Sequence, residues 1–386
     1  MLVIENSDIK TNNKKRIIKL LAKERELTKL DISRKLEISV PTVTTIVGEL
    51  IEEGIVLEAG MATSTGGRKP VIIRFLPNSR FSLGLELGKD YVRAVLTDLD
   101  SKIIEDKRKA LDSINEKEVL SKMKYLIEEM LDNNTEIQGK LLGMGFSLPG
   151  TVNEAELKLE IATNFKLKNL CFRELQQYFN IPVYLENEAN AGALGESNLG
   201  IAKDLTNLIY ISITEGVGGG ILINESMYKG KSSRAGEIGH MTIYKNGRPC
   251  NCGKKGCFET YASNRALINN YYEVTNIKAS NIGEVIENFQ SGDPLAMKVI
   301  ETYIDDLAEG IGNLNFIFNP DYIVVGGEIS KYAEIFQKKL TDKIFNNNEF
   351  YSEGDVDILF STLGSDSNIL GAALIPILKS FGFGKV

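Results

Sequence analysis

The sequence predicts an α/β protein of two unequal parts, a small N-terminal head of three helices and a β-hairpin followed by two matching α/β lobes around a cleft. Three observations carry this. Capped, amphipathic helical segments within residues 13–54 give way to an alternating hairpin. A succession of antiparallel strands with a glycine-bearing loop begins at Phe81 and again at Leu208, the pattern of an internal duplication. Beyond the second set, Gly236 to Glu259 gathers the single histidine and three of the four cysteines.

In the head, Ile17, Leu20 and Leu21 form one stripe of a helix over residues 13–24. Thr28 can cap a second helix, with Asp31 placed to complete a capping box. Ser39 can cap a third, with Pro41 tolerated in its first turn. Val43, Ile46, Val47, Leu50 and Ile51 then fall on one face, and Thr42, Thr44 and Thr45 on the other, short enough to reach phosphates or base edges. Two strands, 55–57 and 71–75, flank the cationic tip Ser64 to Pro70, which fits a wing that inserts Arg68 into an A·T-rich minor groove, with Lys69 a further DNA-binding cation.

Charge supports a polyanionic partner for this part alone. Of the net −7, residues 1–80 carry 14 Lys and Arg against 10 Asp and Glu, leaving 31 against 42 for the rest. The expected head is a winged helix-turn-helix on double-stranded DNA; the alternative is a helical protein-interaction domain with a polar hairpin. The longest apolar run, Ile369 to Leu378, is too short to cross a bilayer, and no secretory signal is evident, so a cytoplasmic protein without a membrane partner is expected.

From Phe81 the chain reads as strands 81–87, 91–98 and 103–109, a helix near 117–131, a strand 141–146 and the loop Ser147 to Gly150. Strand 208–213 opens the second set, with a turn expected over Glu215 to Gly220 and a return through 221–223. Between the sets, Val183 to Leu185 delivers Asn187 and Glu188 to a helix N-terminus, where an amide and a carboxylate face the cleft; simple capping by Asn187 is the plainer alternative. A long helix 295–318, a buried strand 322–325 and a closing helix 369–378 complete the lobes.

His240, Cys250, Cys252 and Cys257 make a full tetrahedral zinc set. The intervening turn formers and cations suit a loop wrapped on a metal better than a core. A redox thiol cluster and unliganded packing are the alternatives. Four protein ligands leave no position for water, so such a zinc is structural. Glu237 and Glu259 bracket the cluster.

These motifs together resemble the ROK family of repressors, open reading frames and sugar kinases, and most closely its xylose-repressor branch. The residues that carry the likeness are Gly236 to His240 with the three cysteines, Glu186 to Gly195, Thr214 to Gly220 and the tip Gly66 to Pro70. The resemblance implies an actin-like, hexokinase-like ATPase fold with duplicated RNase H-like lobes. It divides the chain into a winged head (1–78), a first lobe (79–195, completed by 366–386) and a second lobe with zinc loop and dimerisation surface (196–365). It implies a sugar held by Asn164, Asn187, Glu188, Glu237, His240 and Glu259, with zinc on the four ligands.

Two departures bear on activity. Family kinases carry threonine in both phosphate loops, where this chain has Asp90 and Glu215. A like-charge pair near 4 Å costs on the order of 4 kcal/mol at an effective dielectric of 20, so neither nucleotide binding nor catalysis is expected. The reading is a homodimeric or tetrameric repressor released from its operator by a monosaccharide, xylose or glucose. An ATP-dependent sugar kinase carrying a DNA-binding domain is the alternative, and a zinc or thiol sensor a third.

Overall fold

The computed structural model describes residues 6–61, 70–203, 205–346 and 349–382. In the head, α1 (Asn6–Glu24), α2 (Lys29–Leu36) and α3 (Val40–Glu52) pack through Ile17, Leu21, Ile32, Val43, Ile46 and Leu50, all essentially inaccessible to solvent. Thr28 and Asp31 form the reciprocal capping box at the start of α2, and Ser39 caps α3. Helix α1 begins seven residues before the expected start at 13. The wing has three strands rather than two: β1 (Glu26–Thr28) joins β2 (Val56–Met61) and β3 (Val71–Phe75) in the order β1-β3-β2. Three residues are too few to show alternation, and β1 is fixed by pairing Glu26 with Arg74, whose side chains also form a 2.6 Å ion pair. Arg68 and Lys69 lie outside the described residues.

The first lobe is built on β4 (Phe81–Leu87), β5 (Tyr91–Asp98), β6 (Ile103–Ala110), β7 (Leu141–Leu148) and β11 (Val183–Asn187), ordered β11-β7-β4-β5-β6. Helix α4 (Glu116–Asn133) covers it with the stripe Val119, Met123, Leu126, Ile127 and Met130. A small sheet of β8 (Thr151–Asn153), β9 (Lys158–Ala162) and β10 (Leu167–Cys171) precedes α5 (Arg173–Phe179), and α6 (Glu188–Asn198) leaves β11 directly.

The second lobe repeats the plan with β12 (Leu208–Ile213), β13 (Val217–Ile223), β14 (Ser226–Met227), β15 (Tyr322–Gly327) and β16 (Asp357–Phe360), ordered β14-β13-β12-β15-β16. In each sheet three successive strands are antiparallel and two more extend the first strand in parallel, so the duplication is one of topology. Helices α7 (Glu259–Ala262), α8 (Asn264–Thr275), α9 (Ile282–Gln290), α10 (Pro294–Phe318) and α11 (Ala333–Phe345) cover its outer face.

The paired helices α6 and α12 (Ser367–Phe381) stand between the two sheets. They approach closely because glycines lie where they meet: a Cβ on Gly371 would stand 1.7 Å from Ala191 O, and one on Gly195 2.4 Å from Ser367 O. Helix α12 continues to the head, where Ile377 and Phe381 enter its core. Arg25 reaches both oxygens of Asp100 at 2.7 Å, and Arg80 donates to Glu53 O at 2.8 Å, fastening head to lobe.

The glycine run at 216–220 is mostly strand. Only residues 214–216 turn, and β13 already begins at Val217. The reason is tertiary: a Cβ on Gly220 would meet Ala189 O at 2.5 Å, so the bare backbone lets α6 settle on β13.

Candidate functional site

A cleft of about 610 Å³ lies between the lobes, lined by the β7–β8 turn, the turn at 163–165, the start of α6, the β12–β13 turn and residues 233–240. Asn187 caps α6: its Oδ1 accepts from the backbone N–H of Ala189 (2.9 Å) and Asn190 (3.3 Å), while Nδ2 donates to Gly150 O at 2.9 Å. The amide therefore locks β7, β11 and α6 together, and capping and cleft-facing roles coincide in one side chain. Glu188 accepts from Thr214 Oγ1 at 3.3 Å. Burial pushes its carboxyl up to about 7 against the Thr214 hydrogen bond, and the charges of Glu237, Glu215 and Glu259 push it the same way as burial.

The far wall is made by the cysteine loop. Backbone bonds from Cys250 N to Lys254 O (2.9 Å) and Gly253 N to Cys250 O (3.0 Å) fold it tightly. Gly256, at φ +77°, is required because a Cβ would meet Tyr244 O at 1.7 Å. His240 Nδ1 lies 3.6 Å from Cys250 Sγ, Cys252 and Cys257 sulfurs are 3.7 Å apart, and the four ligand atoms all fall within 4.8 Å of one another. Such a group could hold a metal ion. The other imidazole nitrogen, Nε2, faces Glu237 at 3.9 Å, so the ring stands between the cysteines and the cleft.

Behind it Glu259, 2% exposed, accepts from Asn164 Nδ2 at 3.0 Å and from the Cys250 thiol at 2.9 Å. Asn164 Oδ1 accepts in turn from Asn251 (2.9 Å) and Arg265 (3.3 Å). Thr151 Oγ1 donates to Glu237 at 3.4 Å. The cleft thus brings together all six residues expected to hold a sugar: Asn164, Asn187, Glu188, Glu237, His240 and Glu259.

Away from that end the lobes are tied by ion pairs that sequence reading missed. Lys89 in the β4–β5 turn meets Glu215 in the β12–β13 turn at 2.8 Å, and Asp90 stands 3.7 Å from Arg108. The two acids that replace threonines are therefore not bare negative charges. Lys229, reaching across from the second lobe, is 2.7 Å from Glu186 and also pairs with Glu154. Glu86, on β4, is pushed up to about 7 by burial, against the pull of Arg93.

On the head, Thr42 shares a hydrogen bond with Ser39 (2.8 Å), Thr45 donates to Pro41 O (3.2 Å), and Thr44 is exposed.

A winged three-helix head joined to two topologically matched lobes, with a polar cleft between them, defines a DNA-binding module fused to a hexokinase-like ligand-binding body. The ROK family model matches residues 82–377 and a winged helix-turn-helix DNA-binding model residues 10–56, and the chain belongs to the ROK family. It is 30% identical over 380 residues to the xylose repressor of Bacillus subtilis, spanning 98% of each. A crystal structure of a ROK family transcriptional regulator, homologue of the E. coli MLC protein, superposes with a TM-score of 0.83 at 26% identity over 97% of each chain. A ROK glucokinase from Streptomyces griseus, solved with glucose and AMPPNP, shares the fold at a TM-score of 0.66 and 24% identity, over 76% of this chain and 98% of its own. No helix among the described residues is long and apolar enough to cross a membrane.

Proposed function

We propose that this chain is a cytoplasmic, homodimeric repressor whose winged heads hold an operator and are released when a monosaccharide, xylose foremost, binds in the cleft. The observation that carries the reading is the convergence of Glu188, Glu237 and Glu259 with His240 and Asn164 around one cleft. Ionised carboxylates accept hydroxyl donors strongly and reject analogues that lack one. Thr42, Thr44 and Thr45 face the DNA, with Arg68 and Lys69 at the wing. Two heads suit a palindromic operator.

The cysteine loop is suited to zinc. With Zn–S bonds of about 2.3 Å and Zn–N of about 2.0–2.1 Å, a tetrahedral site sets sulfurs roughly 3.8 Å apart and sulfur and nitrogen roughly 3.6 Å apart. The corresponding separations of 3.7 and 3.6 Å support that fit. Four protein ligands supply rigidity rather than an open reactive position. With Cys250 a thiolate ligand, Glu259 loses the thiol donor and is left to accept a sugar hydroxyl.

The chain acts without phosphoryl transfer. The turns that the kinase resemblance assigns to nucleotide phosphates are closed on each other by Lys89 and Glu215. Sugar shifts the population between head arrangements by no more than its differential affinity for them. A mobility-shift assay with a duplex selected by the full-length protein tests this: xylose or a close relative is expected to release it. Retention at saturating levels of every pentose and hexose tried would contradict it.

A further inference from the structure

We propose that α3 reads its operator through thymine methyl groups, with Val40, Thr44 and Gly48 forming the stripe that lies on the floor of the major groove. The inference rests on the DNA-binding reading above and adds what is read. Helix α3 contains no Arg, Lys, Asn or Gln, the side chains that form paired hydrogen bonds with guanine or adenine edges. What its first two turns turn outward is small and uncharged, its acids Glu49 and Glu52 coming only in the last turns.

Beside the buried face of Val43, Ile46, Val47 and Leu50, one flank of the helix carries Val40, Thr44 and Gly48 at intervals of four, with Val40 and Thr44 exposed. Val40 is 42% exposed, although nothing obliges an apolar side chain to stand there. The Thr45 hydroxyl is turned back to Pro41 O, which leaves its methyl as an outward contact. Thymine alone presents a methyl in the major groove, and side chains of this kind are its apolar partners.

Gly48 is the independent observation. A glycine inside a helix is destabilising relative to alanine, and among the described residues nothing beyond its chain neighbours and its own helix backbone lies within 4 Å of where its Cβ would be. Internal packing therefore does not require it. A bare backbone at that place admits close approach by something outside the protein. Its neighbour Glu49 is held by Lys10 at 2.5 Å, which blunts repulsion from phosphates.

The test uses the full-length protein to select duplexes from a randomised pool, after which the enriched duplex is remade with uracil, which lacks the methyl, at each enriched thymine. Affinity is expected to fall about fourfold per methyl removed, and Val40→Ala to lose that sensitivity at one position of each half-site. Gly48→Ala is expected to melt at higher temperature yet bind the duplex about tenfold more weakly, since an added methyl at a close contact must be accommodated. Equal affinity for thymine and uracil duplexes overturns the inference while leaving DNA binding intact, as does a Gly48→Ala protein that binds like wild type. Failure to enrich any sequence overturns the DNA-binding reading as well.

Discussion

At the end of the cleft beside the cysteine loop, Glu237, Glu259 and Asn164 direct polar atoms toward shared space. At the other end, where the β4–β5 turn meets the β12–β13 turn, Lys89 and Glu215 spend their charges on each other. The same duplicated fold supplies both ends. One is arranged as a site and the other as a seam: at the first, side chains that already bond one another still line open space, while at the second an ion pair bridges the two turns and closes them on each other.

Breaking the site should cost most at its foundation. Cys257 is fully buried, and Cys257→Ser is expected to abolish metal content and destabilise the chain by more than about 4 kcal/mol, the range reached when a structural metal is lost. Elemental analysis with thermal unfolding checks this; retention of one metal per chain would show that the loop is not a four-ligand centre. Next comes the acceptor itself. Glu259→Gln is expected to weaken sugar binding by about 1.5–3 kcal/mol, the worth of a hydrogen bond to a charged group, as read by calorimetry.

A third prediction concerns pH. Glu188 has its carboxyl raised to about 7, above the ordinary glutamate value. The unfolded chain therefore ionises first, and this group's contribution to stability falls as pH rises from about 4.5 to about 7. Sugar affinity should move the opposite way, rising by at most about tenfold per pH unit through that window as the stronger, ionised acceptor forms. Titrations at pH 6 and 8 with wild type and Glu188→Gln check it, the variant giving a flat profile. The smallest effect belongs to the seam. Lys89→Ala removes an ion pair whose lysine is 61% exposed, so a change below about 1 kcal/mol, shrinking with salt, is expected in lobe stability.

What could be read from the sequence was whatever lies close along it. Thr28 with Asp31 and Ser39 with α3 are set by spacings of a few residues, and the four metal-type ligands by one continuous stretch from 240 to 257; each grouping has its counterpart in the geometry. The seam was illegible because Lys89 and Glu215 come from different lobes and neither sits in a local pattern. Lys229 and Glu186 are separated in the same way. Gly218 and Gly220 misled for the converse reason: locally they signal a turn, yet what they serve is the approach of α6 to a strand. Strand β1 escaped notice because its partner lies more than 40 residues away.

The most direct test is calorimetric titration of wild type and Glu259→Gln with a panel of pentoses and hexoses, and of wild type with ATP and magnesium. One sugar binding wild type at one per chain and the variant weakly or not at all, with no heat from the nucleotide, is the expected result. Tight nucleotide binding, or a sugar isotherm unchanged in the variant, would contradict the assignment of site and seam.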